Sequence, residues 1–225
     1  MSGLHFRLPA LLAASALTAA LLGACQPSEA NSSTAETATI AQAAPVRVNE
    51  PAPNFTGVDS NGTSHTLSDF RGQVVVLEWT SHECPFTRKH YTSGNMQSLQ
   101  ADATDRDVVW LSVVSSAHGQ QGYVEGDEAN QLTRDRDANP TAVLLDPEGN
   151  IGQLYSARTT PHMFVIDAEG IIRYMGAIDS VPSANPADIP GATNFVSDAL
   201  DSVLSDRPVE TAFTQPYGCS VKYSL

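Results

Sequence analysis

Apolar residues fall first in one unbroken run and then, past a polar gap, in short bursts. Residues 8–22 (LPALLAASALTAALL) carry no charge and follow Arg7, the layout of a secretory signal segment. Residues 26–45 (QPSEANSSTAETATIAQAAP) hold almost no large apolar side chain. They cannot bury a core and are expected to form a flexible tether spanning about 25 Å root-mean-square. From 46 onward the bursts have strand and helix periods. VVVLEW (74–79) and VVWLSVV (108–114) are continuously apolar and β-branched, as strands covered on both faces should be. TAVLLD (141–146) is a third strand, and MFVID (163–167) and IIRYMGAI (171–178) form a hairpin through Ala-Glu-Gly. Asn61-Gly62 marks the turn of an N-terminal hairpin within 54–73. Helices are expected over 85–93, interrupted at Gly94-Asn95 and resuming to about 103, over Asp127–Arg134 and over IGQLYSA (151–157). FVSDALDSVLSD (195–206) has a helical apolar stripe at 195, 196, 200, 203 and 204. A βαβ core followed by ββα predicts an α/β fold with a mixed central sheet flanked by helices.

Composition is ordinary for a globular chain, with 41% hydrophobic residues. Charge is not. Twelve Lys and Arg against 25 Asp and Glu give −13, which argues against nucleic acid or anionic headgroups as partners. The end of the signal segment, Leu22-Gly23-Ala24-Cys25, resembles the lipobox of bacterial lipoproteins. That resemblance implies a lipoprotein signal over 1–24 and lipidation of Cys25. The membrane is then touched through the lipid anchor only, on the periplasmic side, with Gln26 favouring the outer membrane. The expected layout is lipidated cysteine and tether over 25–45, folded domain over 46–206, and a tail over 207–225.

The chemistry gathers in EWTSHECPFTRKHY (78–91), where a strand runs into a helix. Pro85 suits a first helical position, which puts Cys84 at the helix N-terminus among unpaired N–H groups. That setting lowers a thiol pKa. A fall from about 8.5 to about 6 takes the thiolate fraction at pH 7 from roughly 3% to roughly 90%. A C-x-x-C site would hold its second thiol at 87, but Thr87 stands there. It can hydrogen-bond a thiolate and cannot form a disulfide. Glu78 lies in an apolar strand, where burial raises a carboxyl pKa and fits it for proton transfer. His82, Cys84 and His162 offer a rival reading as ligands of soft copper. His65, His90 and His118 are expected at the surface.

WTSHECPFTRK, LLDPEGNIGQLY and TTPHMFVID, in that order, resemble the thioredoxin fold in its peroxiredoxin or redoxin branch (alkyl hydroperoxide reductase/thiol-specific antioxidant), over about 50–206. The resemblance implies a thioredoxin-like fold and cofactor-free redox chemistry through Cys84, by hydroperoxide reduction or thiol–disulfide exchange, with an external thiol as reductant. It implies a cis bond before Pro161 that sets Thr160 beside Cys84, where its backbone could bind an extended thiol substrate. It further places Thr80 near the substrate and Arg158 against the thiolate. The sequence departs from the family in two ways. Peroxiredoxins set a Thr three residues before the reactive cysteine and a Pro further upstream, whereas Thr80 is four before and the Pro is absent. By the same resemblance Cys219, in the tail TQPYGCSVKYSL, is a candidate resolving thiol. Gly218 gives it backbone freedom, and Tyr217 and Tyr223 offer rings to dock the tail. The alternatives are a copper-binding module on the same fold and an anchored, non-catalytic scaffold. No structural metal pattern is present in the sequence.

Overall fold

The computed structural model describes residues 46–224; the signal segment, Cys25 and the tether lie outside them. Thr56–Asp59 (β1) and Ser64–Thr66 (β2) form the hairpin expected around Asn61-Gly62. Gly62 takes a φ of 82°, and Asp59 Oδ1 accepts the N–H groups of Asn61 at 2.8 Å and Thr63 at 2.9 Å. Val75–Trp79 (β3) leads into Pro85–Thr92 (α1), which Gly94 separates from Asn95–Asp105 (α2). Val109–Val114 (β4), Gly126–Asp135 (α3), Ala142–Leu145 (β5) and Asn150–Leu154 (α4) follow. The chain then runs through Thr159–Thr160 (β6), His162–Ile166 (β7), Ile172–Gly176 (β8), Phe195–Val203 (α5) and Cys219–Ser220 (β9).

Seven strands make one mixed sheet in the order β2-β1-β5-β4-β3-β7-β8. β3, β4 and β5 are parallel neighbours, while β7 runs antiparallel to both β3 and β8. The expected α/β fold with a mixed sheet therefore forms. The central strands are unbroken apolar runs because both faces are covered. Val75, Leu77 and Trp79 enter a cluster with Leu111, Tyr155 and Phe164. Val76 enters the opposite cluster with Trp110, Met163, Tyr174 and the stripe residues Val196 and Leu200 of α5. Each such side chain contributes roughly 1.5–3 kcal/mol by leaving water.

Three features differ from the sequence expectation. The N-terminal hairpin joins the main sheet, with Val58 opposite Leu145 and Asp59 opposite Leu144. Helix α5 closes at Val203 rather than 206. The tail returns to the domain as a strand, β9 pairing antiparallel with β6 in a second sheet. Its path is anchored earlier by the N–H of Thr214, which donates to the Met175 carbonyl at 3.2 Å. Among the described residues no helix is long and apolar enough to cross a membrane.

Candidate active site

Cys84 caps α1 and Pro85 takes its first turn, as the sequence anticipates. Only 1% of Cys84 is exposed. Its Sγ donates to the carbonyl oxygen of Thr160 at 2.9 Å, an arrangement of the neutral thiol. Burial pushes the Cys84 pKa up. The Thr160 hydroxyl, the Cys219 thiol and the N–H groups of Thr87 and Cys219 pull it down, and the balance lies below the ordinary thiol value. In the thiol form the hydroxyls of Thr160 and Thr87 are buried without a partner. Both are donors held in reserve, and that of Thr160 can turn to a thiolate.

Cys219 meets this sulfur through the tail. It lies opposite Thr160 across the β6–β9 pair, and Ser220 lies opposite Thr159. Burial, the hydrogen bond to Cys84 and the charge of Cys84 push the Cys219 pKa up to about 11, against a smaller lowering by Lys222. The approach is close because Gly218 has no side chain. Its φ is 138°, and a Cβ there would run into the Thr160 carbonyl. Both tail tyrosines pack on the domain. Tyr217 stands edge-on to Phe86, ring centroids 5.9 Å apart, and Tyr223 covers Gly149 and Gly152 while donating to the Ala157 carbonyl at 2.7 Å. Ser81, Cys84, Ser116, Gln121, Thr160 and Cys219 line a cavity of about 10 Å³, room for about one water-sized molecule.

The peptide bond before Pro161 is cis, and Thr160 sits beside Cys84. Arg158, expected against the thiolate, does not line the Cys84 cavity: its carbonyl accepts the Val221 N–H at 3.0 Å and the residue is exposed. Glu78 is wholly buried on the other face of the sheet from Trp79. Its carboxyl accepts from Tyr91 Oη, Trp110 Nε1 and Ser112 Oγ, each at 2.9 Å, and from Gln100 Nε2 at 3.2 Å. Desolvation pushes its pKa up against these bonds. No hydrogen bond among the described residues joins Glu78 to Cys84. Thr80 and His82 line a second cavity, with Tyr91, Ser112 and Arg136, rather than the Cys84 cavity.

His90 is fully buried, not at the surface: its Nδ1 accepts from Asn95 Nδ2 at 2.9 Å and burial takes its pKa down to about 4. The face of α1 that turns inward is polar, so apolar periodicity gave no warning. His65 pairs with Asp59 at 2.8 Å and His118 is exposed. His162 is buried behind Pro161, its pKa pushed down to about 3. Among the described residues no three His, Cys, Asp or Glu side chains gather as a metal ion would require, so His82, Cys84 and His162 are not brought together. Sequence reasoning missed Ser81, Gln121, Lys89 and Asp179. Nothing in local pattern marks a lysine on a helix as buried; only its pairing with Asp179, at 2.9 Å, explains it.

A cysteine-capped helix after a central strand, beside a cis Thr160-Pro161 bond and a mixed sheet, defines a thioredoxin-like fold. Residues 48–175, more than half of the sequence, match the AhpC/TSA family, and the chain belongs to it. Similar solved structures include a hypothetical protein from Sinorhizobium meliloti 1021, with TM-score 0.67 and 19% identity over 80% of this chain and 96% of that one. An uncharacterized conserved protein from Geobacillus kaustophilus gives 0.65 and 21%, over 79% and 93%. A putative thiol:disulfide interchange protein DsbE from Chlorobium tepidum gives 0.53 and 23%, over 71% and 99%. At such identities the likeness is one of fold. No curated protein matches the chain.

Proposed function

We propose that the protein reduces a small hydroperoxide with Cys84, resolves the product with Cys219, and works on the periplasmic side of a bacterial membrane through a lipid on Cys25. One observation carries the redox reading: the tail's own strand occupies the Thr160 edge, and its cysteine lines one small cavity with Cys84. While the tail is docked, that edge cannot take an extended protein disulfide. The cavity beside the sulfur admits only a small oxidant.

The chemistry follows from the two thiols. The Cys84 thiolate attacks a peroxide oxygen; an S–O bond forms, the O–O bond breaks, and the departing alkoxide takes a proton to leave as alcohol or water. Cys84 is then a sulfenic acid. Two of the three influences that raise the Cys219 pKa come from Cys84, so its loss of charge eases deprotonation of Cys219. The Cys219 sulfur attacks, the S–S bond forms, the S–O bond breaks, and hydroxide leaves with the Cys219 proton as water. An external thiol pair supplies two electrons to restore both cysteines. Thr160 and Thr87 serve the thiolate as donors.

Thiol–disulfide exchange with a protein partner is the second reading, favoured by the strand-accepting edge of Thr159–Thr160 should the tail leave it. Peroxide loss under excess dithiothreitol, compared for wild type, Cys84→Ser and Cys219→Ser, tests the proposal. Turnover should vanish in Cys84→Ser. Equal rates in wild type and Cys84→Ser would remove Cys84 from the reaction.

A further inference from the structure

Two residues before Cys219, the tail is gripped by charged side chains withdrawn from water. Lys89, on the helix that Cys84 caps, is buried and donates from Nζ to Asp179 Oδ2 at 2.9 Å and to the Val181 carbonyl at 3.0 Å. Asp179 is buried as well. Its Oδ1 accepts the N–H of Val181 at 3.0 Å and the hydroxyl of Tyr217. Lys89 Nζ also lies 3.5 Å from that hydroxyl and 5.7 Å from the centre of the ring. His90 Nε2 stands 3.8 Å from Asp179 Oδ2. Three separate segments therefore meet at one ion pair: the cysteine helix, the loop after β8, and the tail.

Burying such a pair is a poor way to gain stability. Desolvation costs several kcal/mol per ion, and well-packed apolar residues usually do as well. What a buried ion pair offers instead is direction, because a hydroxyl bonded to a fixed carboxylate is charge-assisted and has one geometry. Tyr217 faces Phe86 and Lys89 on α1, and Cys219 lines one small cavity with Cys84 at the start of that helix. Downstream, Val221 and Tyr223 hold the other side of Cys219 through the Arg158 and Ala157 carbonyls.

The geometry points to Lys89, Asp179 and Tyr217 as a latch that sets the Cys219 sulfur against Cys84, making the three positioning residues for disulfide formation. This rests on the reading of Cys219 as the resolving thiol. The latch touches neither peroxide nor the reacting sulfurs, so it acts on the second step and not the first.

Tyr217→Phe removes the hydroxyl alone and keeps the ring against Phe86. The test uses the full chain, reduced and then given one equivalent of hydrogen peroxide. Samples are quenched over time with a dimedone-type trap and a thiol alkylator and read by mass spectrometry. Losing a charge-assisted hydrogen bond should lengthen the life of the Cys84 sulfenic acid by roughly tenfold. Its rate of formation should change by less than about twofold, a split that general loosening of the fold would not produce. If the variant closes its disulfide as fast as wild type, or both steps slow together, the latch is wrong. If wild type itself accumulates sulfenic acid and never links Cys84 to Cys219, the resolving role fails and the latch falls with it. The wild-type trace therefore separates the two failures.

Discussion

Cys219 lies directly opposite Thr160 in an antiparallel pair, and the carbonyl of that threonine accepts the Cys84 thiol at 2.9 Å. One residue thus gives its backbone to both cysteines. The consequence is that the tail is a built-in strand beside the reactive sulfur, and the behaviour of Cys84 depends on a segment far along the chain.

Thr160→Val should weaken the thiolate. The hydroxyl is the largest influence holding the Cys84 pKa down, and valine keeps the β-branched shape without the donor. Iodoacetamide reactivity against pH should inflect below the ordinary thiol value in wild type. In the variant the inflection should move to higher pH. An unmoved inflection would show that the thiolate is held by the Cys219 thiol and the backbone N–H groups instead.

Gly218→Ala should lift the tail. The φ of 138° is strained for alanine, and the new methyl meets the Thr160 carbonyl. With a cost of about 1–3 kcal/mol, the docked-to-undocked ratio should fall roughly fivefold or more. Alkylation of Cys219 in the reduced protein is the readout, and it should become faster; protection equal to wild type would mean the tail docks without this close approach.

Glu78→Gln should destabilise the domain. The carboxyl receives donors from four side chains, and an amide would turn its own N–H groups toward some of them. A loss of about 2–4 kcal/mol is expected, or a Tm lower by roughly 5–15 °C. An unchanged Tm would mean that the network rearranges at no cost.

Acid should weaken the fold through His90 and His162. Unfolded imidazoles bind a proton below about pH 6.5, while burial holds the folded rings neutral down to about 4 and about 3. Their contribution is fully present above about 6.5 and is lost as pH falls below it. The slope is at most about 1.4 kcal/mol per pH unit for each ring. Thermal melts between pH 8 and pH 5 should show a shallower decline in His162→Gln than in wild type. Parallel curves would assign the acid sensitivity elsewhere.

Much of this architecture could be read from the chain because it is set by local pattern. Residues 74–79 are apolar without a break, and β3 is covered on both faces; Pro85 follows Cys84, and the helix starts there. Thr160, Pro161 and Cys84 meet as the family resemblance implies. What stayed hidden depends on distant partners. β9 holds two residues, and no alternation distinguishes Cys219-Ser220 from loop until Thr159 and Thr160 pair with them. Lys89 and His90 sit on a polar helix face whose burial is decided by Asp179 and Asn95, residues that carry no mark in the sequence. Glu78 was visible as an acid in an apolar strand, but its ring of donors comes from α1, α2 and β4.

The most direct measurement is a non-reducing peptide map of the full chain after one equivalent of hydrogen peroxide. The two-thiol account predicts a peptide pair joined through Cys84 and Cys219, formed in wild type and absent from Cys219→Ser, where trapped sulfenic acid accumulates instead. Wild type that accumulates as much trapped sulfenic acid as Cys219→Ser, with no linked peptide, would contradict it and make Cys84 a one-cysteine site served by an external thiol.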